Sequence, residues 1–315
     1  MINFRFHIVS LIGIFLALAL GVIFGSTVVD RAIVDGLRSR INVVETNTNA
    51  QRIENEGLRK EMGRLNEYVI DVGPFATRNA LPGRHIALVA MRGINEEAVS
   101  AQVETIRSSG AVVDGVLWLE GAWNLADGDQ VAALRVITKS DASGRALRAA
   151  GLDLLAARIA TGSPAAGVDP LVELRDAGFV TFSPTAGGSE VAIASYPGPT
   201  PIALGVGGSG SVVEATAFNR SLATSFVRAL LPSVIGEVWQ PLEGGAGRGE
   251  WLQSILKDPD LVDRVSTVDD LEITEGRVGV VLAMADVVRS LVGHYGYGAS
   301  ATSPLPKLVT TPIAR

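Results

Sequence analysis

The chain contains no cysteine. That removes disulfides, thiolate metal ligands and cysteine nucleophiles together. Histidine is scarce too: His7, His85 and His294 are the only three, and no two stand at ligand spacing. The four methionines, at 1, 62, 91 and 284, are too scattered to form a soft-ligand copper cluster. Basic residues number 27 against 33 acidic ones. The net charge of −6 leaves no footprint for nucleic acid. No Walker A, HExxH or GxSxG stretch occurs. What is there is globular in composition, 47% apolar and 19% charged, without the bias of a disordered chain.

One long hydrophobic run stands apart. Ile8 to Val29, IVSLIGIFLALALGVIFGSTVV, carries no charge over 22 residues. As a helix it rises about 33 Å, against a hydrocarbon core of about 30 Å. Its only Ala-x-Ala triplet, Ala17 to Ala19, lies inside the run, so the reading is an uncleaved signal anchor rather than a cleaved leader. Gly13, Ala17, Gly21 and Gly25 repeat every four positions, and Gly21 and Gly25 make a GxxxG, a stripe that favours helix pairing in lipid. The positive-inside count, Arg5 before the run and Arg31, Arg38 and Arg40 after it, leans against export of the C-terminal part. The short N-terminal tail of a signal anchor leans toward it. The expectation is a single-pass plasma-membrane protein with its C-terminal domain outside.

Residues 31–72 are read as a coiled-coil stalk. With Leu37, Val44, Gln51, Leu58 and Leu65 as d positions, the a positions fall on Val34, Ile41, Thr48, Asn55, Met62 and Val69. Eight of these eleven are apolar, a heptad seam sustained over five repeats. In a parallel homodimer Arg40 faces Glu45 of the partner helix and Glu54 faces Arg59, both opposite in sign. Asn55 at an a position favours two strands in register. The alternative is one amphipathic helix lying on its own domain. Gly73-Pro74 is expected to break the helix and open the globular part.

The remainder reads as α/β, Rossmann-like in outline, with a largely parallel sheet over residues 73–298 and a loose tail from 299 to 315. HIALVAM, residues 85–91, and AVVDGVLWL, residues 111–119, are strands around a helix over 96–108 that Gly110 stops. Further helices are expected near 144–160, 168–177 and 213–231. Further strands are expected near 179–183, 190–195, 201–206, 234–239 and 277–284. Gly205-Val-Gly207-Gly-Ser-Gly210 matches GxGxxG, with Glu237 near the end of the next strand as a candidate ribose acid. A dinucleotide-binding enzyme on this loop is the least favoured reading, because 35 glycines make chance matches common. Asp269 and Asp270 follow Ser266-Thr267-Val268. Adjacent carboxylates are expected to diverge, and the stretch reads as a capping or turn device.

The apolar run His7 to Ser26 with its stalk, and the C-terminal pieces Ser266-Thr-Val-Asp-Asp270, Gly276-Arg277 and Gly293-His294-Tyr295-Gly296, resemble the mycobacterial copper transport protein B family of actinobacteria. The resemblance implies a cell-envelope protein of copper homeostasis, described as an outer-membrane channel that keeps intracellular copper low. It implies a second role as a dimeric partner in cell separation, meeting a peptidoglycan-hydrolase system at the septum. Copper would be cargo rather than a resident cofactor, and no catalytic residue is implied. His294 is the weak candidate for a copper ligand, and the roles of the two end motifs stay open.

Overall fold

The computed structural model describes residues 4–183, 196, 198–213, 218–242, 245–299 and 301–307, and only the backbone over 26–33. The chain divides into two compact units, Met1–Asn66 and Glu67–Arg315. The first is helix throughout its described part. Helix α1 spans Phe4–Thr77, 74 residues, and its end belongs to the second unit. Its stretch Phe4–Gly25 has the length and apolarity of a membrane span, with mean hydropathy 2.7. Further along, Arg52 pairs with Glu56 at 3.2 Å and Arg64 with Glu61 at 2.6 Å. Exposed pairs of this kind add only about 0.2–0.5 kcal/mol each to a helix.

The break expected at Gly73-Pro74 does not occur: α1 continues through Pro74 to Thr77. Tertiary packing overrides the proline. Gly73 lies against Val278 and Thr274, and Thr77, fully buried, donates from Oγ1 to the Gly73 carbonyl at 3.1 Å.

The second unit is built on a seven-stranded sheet. Its elements are β1 (His85–Met91), α2 (Glu96–Ser108), β2 (Val112–Leu119), α3 (Gly128–Thr138), α4 (Gly144–Thr161), α5 (Pro170–Asp176), β3 (Val180–Ser183), β4 (Ile202–Gly208), α6 (Phe218–Arg228), β5 (Ser233–Val238), α7 (Gln253–Leu256), β6 (Ser266–Val268), α8 (Thr274–Val287) and β7 (His294–Tyr295). The strand order is β3-β2-β1-β4-β5-β6-β7, parallel at every pairing except β2 with β3. The fold is therefore mixed α/β with a mostly parallel sheet, as the alternation of apolar runs and helical spacing predicts.

Strand β1 shows why. Ala87, Val89 and Met91 enter one core with α3 to α7, while Ile86, Leu88 and Ala90 enter the other with α2 and α8. A strand covered on both faces has no polar side, so it reads as a continuous apolar run. Each fully buried aliphatic side chain contributes about 1.5–3 kcal/mol. Helix starts are set locally. Asn95 Oδ1 accepts from Glu97 N at 2.9 Å, Asp127 Oδ1 from Gln130 N at 2.8 Å, and Asp169 caps α5 ahead of Pro170.

Three expectations change. The run 277–284 is not a strand but the middle of α8, whose residues from Val278 to Val287 are all buried. Ser266–Val268, read as a turn device, is strand β6. The tail is not loose over its described part: Gly296 N donates to Ser303 O at 3.0 Å, Thr302 N to His294 O at 2.8 Å, and Pro306 is buried. The strand expected at 190–195 lies outside the described residues, as do 308–315 of the tail.

Candidate functional site

In open α/β sheets ligands sit beyond the carboxyl ends of strands, where the strand order reverses. Here that point lies between β1 and β4. The chain's own backbone fills it. Val212 N donates to Arg92 O at 2.9 Å, and Asn124 Nδ2 donates to Val212 O at 2.7 Å. The GxGxxG stretch is correspondingly no phosphate loop. Gly205, Gly207 and Gly208 lie inside β4. A side chain at Gly205 would strike Ile235 and Leu222, and one at Gly207 would strike Trp251 and Met91. These glycines admit large neighbours into the core. Glu237 is not at a ribose site either: it is buried, and its Oε2 accepts from Gly249 N at 2.8 Å. Burial, with the charges of Asp269 and Glu272 added, pushes its carboxyl up to about 8.

The two end motifs come together at the carboxyl ends of β5, β6 and β7. Thr267 N donates to Gly293 O at 3.1 Å, Gly293 N to Ser266 Oγ at 3.2 Å, and Asp269 N to Tyr295 O at 3.1 Å. His294, buried, uses both ring nitrogens. Nε2 lies 3.0 Å from Val262 O, which only accepts, so Nε2 carries the proton. Nδ1 then accepts from Thr267 Oγ1 at 2.9 Å. Burial lowers the imidazole below its ordinary range, consistent with a neutral ring. Arg277 donates to the carbonyl of Glu272 at 3.0 Å and to Thr274 Oγ1 at 2.9 Å, holding the turn between β6 and α8.

Asp269 and Asp270, expected to diverge, converge. Asp270 has a positive φ of 70°, which breaks the alternation of a strand and turns its side chain back beside Asp269. Tyr297 N donates to Asp269 Oδ1 and to Asp270 Oδ2, both at 2.7 Å, and Gly298 N donates to Asp269 Oδ2 at 3.0 Å. Gly296, with φ 125°, leaves no room for a side chain above the Asp269 carboxylate. Arg248 Nε stands 2.7 Å from Asp270 Oδ1, close enough to attract but not in hydrogen-bond alignment. Burial first, then the hydrogen bond and charge of Asp269, push Asp270 up to about 8. Arg248 and Tyr297 were not legible as partners of the motif, because neither belongs to a recognisable pattern.

A second feature is an open groove of about 590 Å³ between α4 and α6. Arg220, Thr224 and Arg228 line it from α6 at spacing i, i+4, i+8, and Arg145, Ala149 and Asp153 from α4 at the same spacing. Asp153 is already held by Ser225 Oγ at 2.6 Å and Arg228 Nη1 at 2.8 Å. Arg220 pairs with Asp258, so two of the three lining arginines already face a carboxylate.

The candidate dimer residues all lie on α1. Gly21 and Gly25 face open space. Leu37, Val44, Asn55, Leu58 and Leu65 are exposed. Asn55 Nδ2 donates to Gln51 O at 2.9 Å within its own helix. Among the described residues no group of three His, Asp or Glu side chains gathers to hold a metal ion.

These features define a class: an α/β domain following a long N-terminal helix whose first part is apolar enough to cross a membrane. The chain belongs to the family described as copper transport outer membrane protein, MctB, whose model matches residues 1–306. It is similar to the copper transporters MctB of Mycobacterium tuberculosis and Mycobacterium bovis, 26% identical over 332 residues, covering 96% of this chain and 98% of each relative. The copper transporter MctB of Mycobacterium leprae is 23% identical over 327 residues, with the same coverage.

Proposed function

We propose that the protein is a membrane-anchored, non-enzymatic component of copper homeostasis, working as a parallel homodimer with its α/β domain outside the plasma membrane. The observation that carries this reading is the match to copper transporters over nearly the whole chain, membrane segment included. Physics narrows the manner. A pore needs a closed barrel or a bundle of helices. Among the described residues one chain brings a single candidate span and a seven-stranded sheet that does not close into a barrel. Copper movement then requires further copies or another protein, and this chain supports that assembly rather than forming the conduit. Copper is cargo, with no resident cofactor. The test is cellular copper content in a deletion strain under copper load. Accumulation that a plasmid-borne copy reverses supports the reading; unchanged copper content defeats it.

A second reading is an envelope scaffold for cell separation that binds a septal peptidoglycan-hydrolase partner. One observation favours it: the exposed apolar positions along α1, which offer a surface to a partner. Septum morphology in the same deletion strain separates the two. Normal copper with failed septal separation favours the scaffold.

A further inference from the structure

We infer that Asp269 and Asp270 form a proton-dependent clasp that holds the turn at Tyr297 and Gly298 against the carboxyl edge of the sheet. The geometry is that of two carboxyl groups meeting at one donor. The Tyr297 N–H is shared between an oxygen of each, at 2.7 Å and 2.7 Å. Both side chains are fully buried. Two carboxylates so placed repel strongly unless one holds a proton.

The surrounding charges relieve that repulsion only in part. Glu237 faces Asp269 from β5, Glu272 in the turn after β6 acts on Glu237, and Glu275 in the first turn of α8 acts on Tyr297. Arg248 is the cation beside Asp270, and it also pairs with Glu272 at 3.1 Å. Arg277 of α8 spends its donors on the carbonyls of Leu271 and Glu272 and on Thr274. Beside the clasped turn, His294 is committed to Thr267 and Val262, and the phenol of Tyr297 stays protonated, raised by burial and by the charges of Glu275 and Asp270. Arg248 is thus shared between Asp270 and Glu272. A proton on Asp270, donated to Asp269, balances the site, in keeping with the rise of Asp270 to about 8.

The clasp is the tie at Tyr297 and Gly298; on either side the chain is held by His294 to Thr267 and Val262 and by Gln253 Nε2 to Ala299 O at 3.1 Å. Strand β7 is two residues long and pairs only with β6. The chain after it folds back through Thr302 N to His294 O and Gly296 N to Ser303 O, and reaches the neighbouring turn through Ala299 N to Arg248 O. The closed form holds a proton that the open form, with an ordinary carboxyl, releases. Closure is therefore strongest in acid and is lost as pH rises from the ordinary carboxyl range through about 8. The pairing of the end motifs is then one device, with β6 supplying the acids and the Gly293–Gly296 turn presenting the N–H groups.

Hydrogen exchange read by mass spectrometry on the full-length protein in detergent micelles tests this. After correction for intrinsic exchange, protection at Tyr297 and Gly298 falls by about tenfold per pH unit between about pH 5 and 8, the slope of a single linked proton, and levels off above that. In Asp270→Asn the side-chain amide donates to Asp269 in place of the acid, so protection stays high and flat. PH-independent protection in the unmodified protein, or an unchanged slope in Asp270→Asn, overturns the clasp. Should Asp270→Asn fail to fold, infrared titration of Glu237→Gln decides, because Glu237 is the other carboxyl raised to about 8. A protonated carboxyl band present at about pH 7 and lost by about pH 9 supports the clasp, and its absence at pH 7 overturns it.

Discussion

The exposed length of α1 and the sheet domain solve the burial of apolar surface in opposite ways. In the domain, Ile86 through Met91 are all fully buried, and each face of the sheet has its own core. On α1, Leu37, Ile41, Val44, Leu58, Met62 and Leu65 are all more than half exposed. Both stretches are rich in aliphatic side chains, yet only one finds its partners within the chain. A long helix held by i, i+3 and i, i+4 ion pairs worth a few tenths of a kcal/mol has little reason to persist alone in water. Its apolar stripes ask for lipid over Phe4–Gly25 and for a second helix beyond it. The difference teaches that the domain buries its apolar surface within one chain, whereas α1 leaves its own for the partner helix proposed above.

The sharpest way to break that comparison is to charge the seam. Leu58→Asp with Leu65→Asp puts four charges into the two-stranded seam, at a cost of several kcal/mol. The variant is expected to run as a monomer in light scattering while circular dichroism shows an intact domain. Loss of the domain's signal together with the dimer would merge the two regions into one folding unit. The converse perturbation is Leu117→Ala in the fully buried centre of β2, expected to lower domain stability by about 2–5 kcal/mol in denaturant titration and to leave crosslinking of the stalk unchanged. The smallest effect belongs to the flanks. Glu54→Arg removes the expected contact with Arg59 of the partner and sets like charges there, worth about 0.2–1 kcal/mol at an exposed site. It is expected to shift the monomer–dimer midpoint in dilution experiments by a few-fold and no more.

How much of this was legible follows from burial and period. Strands β1 and β2 stand within a residue of their expected bounds, because apolar runs of that length between turn residues have few other readings. Helix α8 was mistaken for a strand over 277–284 for the same reason: buried on all sides, it shows no helical stripe, and a short apolar run carries no period that tells helix from strand. Helix α3 went unread, since it buries only Leu134 fully and its other apolar residues are half-covered or exposed. The heptad pattern was legible as a pattern, yet no sequence signal says whether a second copy fills it. The convergence of Asp269 and Asp270 was hidden because it depends on one left-handed residue and on N–H groups nearly thirty positions away. The GxGxxG match misled because a regular expression does not see that Leu222, Ile235 and Trp251 already fill the space beside those glycines.

The absence of cysteine makes the central claim directly measurable, because a single introduced thiol has no competitor. Leu58→Cys places that thiol at a d position, where two parallel helices in register bring the pair face to face, and Lys60→Cys places it on the outer side of the same turn. Oxidation in native membranes should yield a covalent dimer from Leu58→Cys and little from Lys60→Cys. Equal yields from both, or none from either, would contradict the parallel paired stalk.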